Sequence, residues 1–316
     1  MRDHAGALEL ISASLQPAFI VFSQDLDYSL PILGSLLVLL GLAYANRYLA
    51  SPALAILLRW GRWTAFSFGA AYLVQSFGWS DRPYWVLVLS AILIWVLLET
   101  LYTWFAITAL SLSPIPLFPR FSPNITGEEW PARKRIMALR DWLRKHRFRQ
   151  VQALVAEIGN DVSLRVSIYQ DEENLFRVQI LFLPVRGGMV TTCFSVSSNT
   201  TDSLRYTTDN LFLPFGGFYP EDWSIQRRPL VRSLSRLITN HRQRLERDGK
   251  TAEPWEDEPL NDLNLQQSEL ERVNTELGFL FPHNLREEYG KMTFEGRYRV
   301  WKEVWMLNYL GVPRRY

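Results

Sequence analysis

Residues 84–112 read YWVLVLSAILIWVLLETLYTWFAITALSL, an apolar and aromatic run in which Glu99 is the only charge. A helix needs about 20 mostly apolar residues to cross a hydrocarbon core roughly 30 Å thick, and this run exceeds that length. Toward the N-terminus, Trp63–Trp79 (WTAFSFGAAYLVQSFGW) is a shorter apolar run with a Trp at each end. Leu30–Tyr48 (LPILGSLLVLLGLAYANRY) is another, with no charge before Arg47. Three such runs within residues 29–113, joined by short connections, predict a three-helix transmembrane bundle with spans at about 30–48, 63–79 and 84–112. The mean hydropathy of the whole chain, -0.06, conceals this because the polar remainder averages it out.

The charges between the runs orient them. Arg47, Arg59 and Arg62 lie between the first and second, whereas Ser80–Pro83 carries Asp81 and Arg82 and no net charge. Cytoplasmic connections hold the Lys/Arg excess, so the first connection is expected inside and the Asp81 loop outside. That makes residues 1–28 a short extracytoplasmic segment, where Arg2 alone is a thin basic start for a signal peptide, and everything after Leu112 cytoplasmic. Arg120, Arg133, Lys134, Arg135, Arg140, Arg144, Lys145, Arg147 and Arg149 stand against Glu128, Glu129 and Asp141 on that side. The expected location is the cell membrane, multi-pass. Ala53–Leu58 is apolar but too short to cross, and is expected to lie along the interface. Trp63, Trp79 and Trp85 fall at span ends, where amphipathic rings meet headgroups.

Glu99 at mid-span is costly and therefore a site hypothesis by default. Two readings are open: a functional polar pair with Gln75 across the bundle, or a hydrogen bond that merely holds helices together.

Four prolines in residues 113–123 mark 114–130 as a stiff connector. Residues 131–250 then read as a soluble α+β domain, an antiparallel sheet flanked by helices, large enough to bury its own core. Its first helix, Pro131–Arg147, sets an apolar stripe (Ala132, Ile136, Leu139, Leu143) beside a basic one (Arg133, Arg140, Arg144, Arg147). A basic juxtamembrane helix gains about 1 kcal/mol per cation from an anionic leaflet. Those four arginines are accordingly candidates for phosphate or membrane-surface contact; the alternative is a helix packed on the sheet with solvated cations. Period-two alternation places strands near Phe148–Ile158, Ser163–Tyr169, Leu175–Leu183, Val190–Val196 and Leu204–Thr208, with turn residues between them. A second helix, about Pro229–Arg247, carries His241 inside a clean apolar stripe, which suits a core histidine. Gly216-Gly217 lies among aromatics in Leu213–Trp223, as a folded connection or the wall of a cleft.

Residues 251–264 are acidic and contain two prolines, which reads as a linker. Residues 265–316 form a helical C-terminal segment: a helix near Leu265–Leu280, then Phe294–Leu310. In the latter, Phe294, Tyr298, Trp301, Trp305 and Tyr309 share one face. That face either packs on the domain or lies among headgroups, making Tyr298, Trp301 and Trp305 candidate interfacial residues.

Motifs for chemistry are missing. Cys193 is the only cysteine, the four histidines are scattered, and HExxH, GxSxG and glycine-rich phosphate loops are absent. No catalytic, cofactor-binding or metal-ligating residue is therefore assigned. The expectation is a non-catalytic membrane anchor or scaffold that meets the bilayer, anionic headgroups, and a protein partner or further copies of itself. With formal net charge +2 and no recognition motif, nucleic acid is not an expected partner. An oligomeric channel or transporter is an alternative, and a lipid-modifying membrane enzyme a further one. Three spans, an outside N-terminus and a cytoplasmic β-rich domain resemble the small-conductance mechanosensitive channels in topology and approximate length. That resemblance implies a pore helix packed through small residues. The third run is instead bulky (Trp85, Trp95, Leu97, Leu98, Tyr102, Trp104, Phe105), which argues against a narrow pore.

Overall fold

Three long helices open the chain: α1 (Ser29–Leu49), α2 (Pro52–Ser76) and α3 (Tyr84–Leu112). The structure, a computed structural model, describes residues 29–125, 130–131, 134–159, 162–185 and 189–313. The N-terminal segment, Arg133, Arg314 and Arg315 lie outside these residues. The described residues divide into two compact units, one of residues 29–42 and 61–95, the other of 43–60 and 96–313.

α1 and α3 are long and apolar enough to cross a membrane. α2 is not, so two of the three expected crossings stand on length and composition. The reason is Arg59 and Arg62, which lie inside α2. Ala53–Leu58, expected as a separate interfacial segment, forms the opening turns of this one 25-residue helix. The stretch after Arg62, through Ser76, is only about 21 Å long at 1.5 Å per residue, short of the hydrocarbon thickness. In the first unit these helices pack through small and aromatic residues. A Cβ at Gly61 would run into the Leu39 side chain. The Phe66 and Trp95 rings lie 4.8 Å apart, and the Tyr84 hydroxyl donates to Phe68 O at 3.0 Å.

The second unit is built on one mixed sheet: β1 (Ser122–Pro123), β2 (Arg149–Gly159), β3 (Val162–Gln170), β4 (Arg177–Val185), β5 (Met189–Thr200), β6 (Arg205–Asp209) and β7 (Trp223–Arg227), side by side in that order. The five strands expected from alternation are β2 to β6, and they pair antiparallel. The sheet is not wholly antiparallel, because β7 joins β6 in parallel. Residues 210–222 supply the long crossover that a parallel neighbour requires.

Alternation divides the sheet into two faces. On one, Tyr169, Val178, Ile180, Phe182, Phe194, Val196 and Tyr206 pack with two helices. These are α4 (Lys134–Lys145), through Ile136 and Leu143, and α5 (Leu234–Arg247), through Leu234, Leu237, Ile238 and Leu245. α5 starts five residues later than its apolar stripe suggests, because Ser233 is its N-cap, accepting from Arg236 N.

The second face is apolar on β2 and β3, where Leu154, Ala156, Leu164, Val166 and Ile168 pack with Phe121 and Leu263. It turns polar from the Arg177 end of β4 to β7, while Leu181 and Leu183 of β4 stay with the apolar half. Arg177, Ser197, Arg205, Asp209 and Arg227 belong to that half by register. The acidic stretch expected as a linker covers this half and is folded. Ala252–Glu253 (β8) pairs with β5, Trp255 is buried, and Pro259 opens α6 (Pro259–Glu276), six residues before the expected start. Asp262 accepts from Arg177 Nη1 at 2.6 Å and Arg205 Nη2 at 2.5 Å. The Arg177 guanidinium also stacks 4.0 Å over Trp255 and donates to Asp257 O at 2.6 Å.

A short 3-10 turn (His283–Leu285), α7 (Arg286–Tyr289), α8 (Phe294–Trp305) and a π turn (Met306–Leu310) complete the unit. Phe279, Leu280, Met292 and Val300 form a small core with Ile107 of α3. Lys291 closes the C-terminal end of α3: its N–H donates to Ser111 O at 2.9 Å and its ammonium to Ser113 O and Ile115 O. The main-chain N–H thereby satisfies one orphan carbonyl of the last turn, and the ammonium holds the residues just past the helix.

Arg177 and Asp262 are each only 1% exposed, so removing one charge strands the other. Asp262→Asn is expected to cost about 3–5 kcal/mol, seen as a lower midpoint in chemical denaturation of the detergent-solubilised chain.

Candidate functional site

The one charge of the long apolar run is where α3 meets the C-terminus. Glu99 Oε1 accepts from Arg59 Nη1 of α2 at 3.2 Å, and Glu99 Oε2 accepts from the Tyr309 hydroxyl. The Trp60 indole donates to Tyr309 O at 2.9 Å and meets the Tyr309 ring edge-on. Arg59 lies 5.5 Å over the same ring. Glu99 and Arg59 side chains are 16% and 29% exposed, so the ion pair is screened only in part. Gly311, at φ +65°, lets the chain end turn here, where a Cβ would fall 2.8 Å from Ile56.

Of the expected pair, Glu99 is therefore bound to other partners, and Gln75 is an exposed residue near the end of α2. In the sequence, Arg59 stands out only as an orienting charge and Tyr309 only as part of an aromatic stripe. The usable signal was the continuity of α2, which puts Arg59 inside a helix otherwise nearly free of charge.

The aromatic stripe grades from solvent into core. Phe294 and Tyr298 are exposed, Trp301 and Trp305 half-buried, Tyr309 buried. Tyr298 stacks on Trp301, and Trp305 stacks on Tyr309 at 4.6 Å. Phe294 sits 5.2 Å from the Trp104 ring of α3, and Arg297 lies over that ring. The aromatic face thus packs largely on α3 and its own neighbours, leaving Phe294 and Tyr298 at the outer edge.

The basic helix is split likewise. Ile136, Leu139 and Leu143 of its apolar stripe face the sheet, Arg140 is half-buried, and Arg144 and Arg147 are exposed; Ala132 lies outside the described residues. Arg147 pairs with Glu172 at 3.0 Å.

Two further polar clusters are structural. Glu303 is buried, accepting from Gly216 N–H and from Arg227 Nη1 at 3.2 Å, with Asp209 3.7 Å from Arg227 Nε. Burial pushes the Asp209 carboxyl up to about 6 against the pull of Arg227. Gly216 has φ +69°, and a Cβ there would lie 2.7 Å from Val300 N, so the Gly-Gly turn is a docking surface for α8 rather than the wall of a cleft. Arg299 and Asn274 clamp the same loop, at Gly216 O and at both main-chain groups of Phe218. His241 is fully buried between Thr208 Oγ1 (3.0 Å) and Ser198 Oγ (3.2 Å). Burial, with Arg244 nearby, lowers its pKa to about 3. Burial likewise lifts the Cys193 thiol to about 11, which keeps it unreactive.

Among the described residues, no three His, Cys, Asp or Glu side chains gather in a way that would hold a metal ion. Comparison with known protein families, with characterised proteins and with solved structures finds no match.

Two outcomes are expected. Glu99→Ala and Arg59→Met should each lower the unfolding midpoint in detergent, and the double variant should lose less than their sum, with a coupling of about 1 kcal/mol or more. For His241 the native pKa lies below the unfolded one. The unfolded chain alone takes up the proton as pH falls below 6.5, and stability drops by about 2–3 kcal/mol by pH 4.5. In His241→Gln that component should vanish from denaturation curves recorded across this range.

Proposed function

We propose that the protein is an integral membrane protein that holds a non-catalytic α+β binding domain at the cytoplasmic face of the bilayer. The observation that carries this reading is the exposure of apolar side chains on helices long enough to cross. Leu40 of α1 is 68% exposed, and Leu93 and Phe105 of α3 are 70% and 66% exposed. Continuous apolar helix faces of this kind do not persist in water, and lipid is the surroundings they suit.

The joint at Glu99 supports the second half of the proposal. Arg59, Tyr309 and Lys291 tie α3 to the C-terminal segment, and Arg177, Arg205 and Arg227 tie that segment to the sheet. The domain is thereby held by folded contacts in addition to the connector at 114–130. The cations that follow α3, Arg120, Arg140, Arg144, Lys145, Arg147 and Arg149, favour the cytoplasmic side for this domain. The partner is a protein or an anionic surface, and the exposed Arg144 and Lys145 of α4 suit the latter.

Alkaline carbonate washing of membranes should leave the chain in the pellet. In intact cells, a membrane-impermeant maleimide should label Asp81→Cys without lysis, while the buried Cys193 stays silent. Release by carbonate would sink the membrane reading, and labelling of Asp81→Cys only after lysis would reverse the orientation.

A further inference from the structure

A second polar site lies at the free edge of the sheet, between β7 and α5. Gln226 and Arg228 come from the end of β7, and Asn240, Gln243, Arg244 and Arg247 from one face of α5. They line a cleft of about 200 Å³. Positions 240, 243 and 247 follow helical spacing beside the buried Arg244, so packing α5 on the sheet turns this side toward the edge strand.

The chemistry of the lining is one-sided, with three guanidinium groups, three carboxamides and no carboxylate. The side chains of Gln226, Arg228, Asn240 and Gln243 make no hydrogen bond or ion pair among the described residues. Arg244 is held in place, donating to Thr207 O at 2.8 Å and Ser224 Oγ at 2.5 Å, with its guanidinium 4.7 Å over Tyr206. Arg247 is turned partly toward Asp248 at 2.9 Å. Burial depresses the Arg244 pKa, and the neighbouring Arg247 and Arg228 depress it further. Like charges crowded around a polar hollow attract an anion that none of the lining residues provides.

We propose that this cleft binds a phosphomonoester dianion, with Arg228, Arg244 and Arg247 as its charge partners and Gln226, Asn240 and Gln243 as amide donors. A tetrahedral group with several acceptor oxygens suits donors converging from a strand and a helix, whereas a flat carboxylate needs only one guanidinium fork. The volume takes a phosphate and a small part of what it esterifies. Such a group is carried by a soluble phosphate ester or by the headgroup of phosphatidic acid. The proposal does not depend on the membrane reading above.

The test uses the full chain in phosphatidylcholine nanodiscs, with glycerol 3-phosphate titrated in by calorimetry. A parallel set of nanodiscs contains phosphatidic acid or, as the phosphodiester control, phosphatidylglycerol, and is read by the unfolding midpoint. Arg228→Ala and Gln243→Glu alter exposed, unbonded side chains, so both variants should unfold like the parent in phosphatidylcholine alone. Each should weaken the response about tenfold or more. Calorimetric binding of glycerol 3-phosphate would assign a soluble ester. Stabilisation by phosphatidic acid but not phosphatidylglycerol, lost in both variants, would assign the headgroup. No response in either arm, a response that survives both substitutions, or equal stabilisation by phosphatidylglycerol would each overturn the proposal.

Discussion

The carboxylate of Asp262, buried between Arg177 and Arg205, decides how α6 and the residues around it sit on the sheet. One face of the sheet is conventionally apolar and takes α4 and α5. The other is apolar on β2, β3 and the end of β4 that carries Leu181 and Leu183, and elsewhere presents arginines, hydroxyls and Asp209. Such a face does not attract a helix by hydrophobic burial alone. α6 is suited to both halves, setting Leu263 on the apolar side and Asp262 on the cationic one. Desolvating two guanidinium groups and a carboxylate offsets much of their attraction, so the cluster adds little to stability compared with apolar packing of the same volume. What it supplies is register: a helix displaced by one turn would strand three charges.

Once α6 is placed, the same device recurs outward. Glu303 of α8 meets Arg227 of β7, and its second oxygen accepts the Gly216 N–H. Glu99 of α3 meets Arg59 of α2 and the Tyr309 hydroxyl. Each carboxylate is taken by an arginine from a different element, and each arginine also lies near an aromatic ring or hydroxyl: Trp255, Tyr219 and Tyr309. A planar guanidinium offers both its donor edge and its face, which an ammonium does not. The dominance of arginine over lysine in this chain therefore has a structural use, whatever its origin.

Much of the fold was legible from periodicity. The core of β3 and β4 shows as alternating apolar residues (Leu164, Val166 and Ile168; Val178, Ile180 and Phe182), and α5 follows its stripe because it buries one face. What was not legible depends on partners far away in sequence. Residues 251–264 look solvated because they are acidic, yet Asp262 is buried by Arg177, 85 residues earlier, and Trp255 by the same arginine. β7 (WSIQR) is half-buried at every position, so it has no alternation to detect. The opposite error arose in α2, where Arg59 and Arg62 seemed to end a segment. A helix with a paired charge does not need to end there.

Glu99 gains a different meaning from these pairings. An isolated carboxylate within an apolar helix invites a proton-carrying role, because its charge has no other compensation. Here one oxygen faces a permanent cation and the other a phenol, and the surrounding rings of Trp60 and Tyr309 limit water. That compensation is supplied by Arg59 of α2 and by Tyr309 of the Met306–Leu310 turn. The same contacts bring Tyr309 against Arg59 and Glu99, while Gly216 admits α8 to its loop and Lys291 meets the end of α3. Within the second unit, Glu99 is the point where α3 meets the start of α2 and the Met306–Leu310 turn.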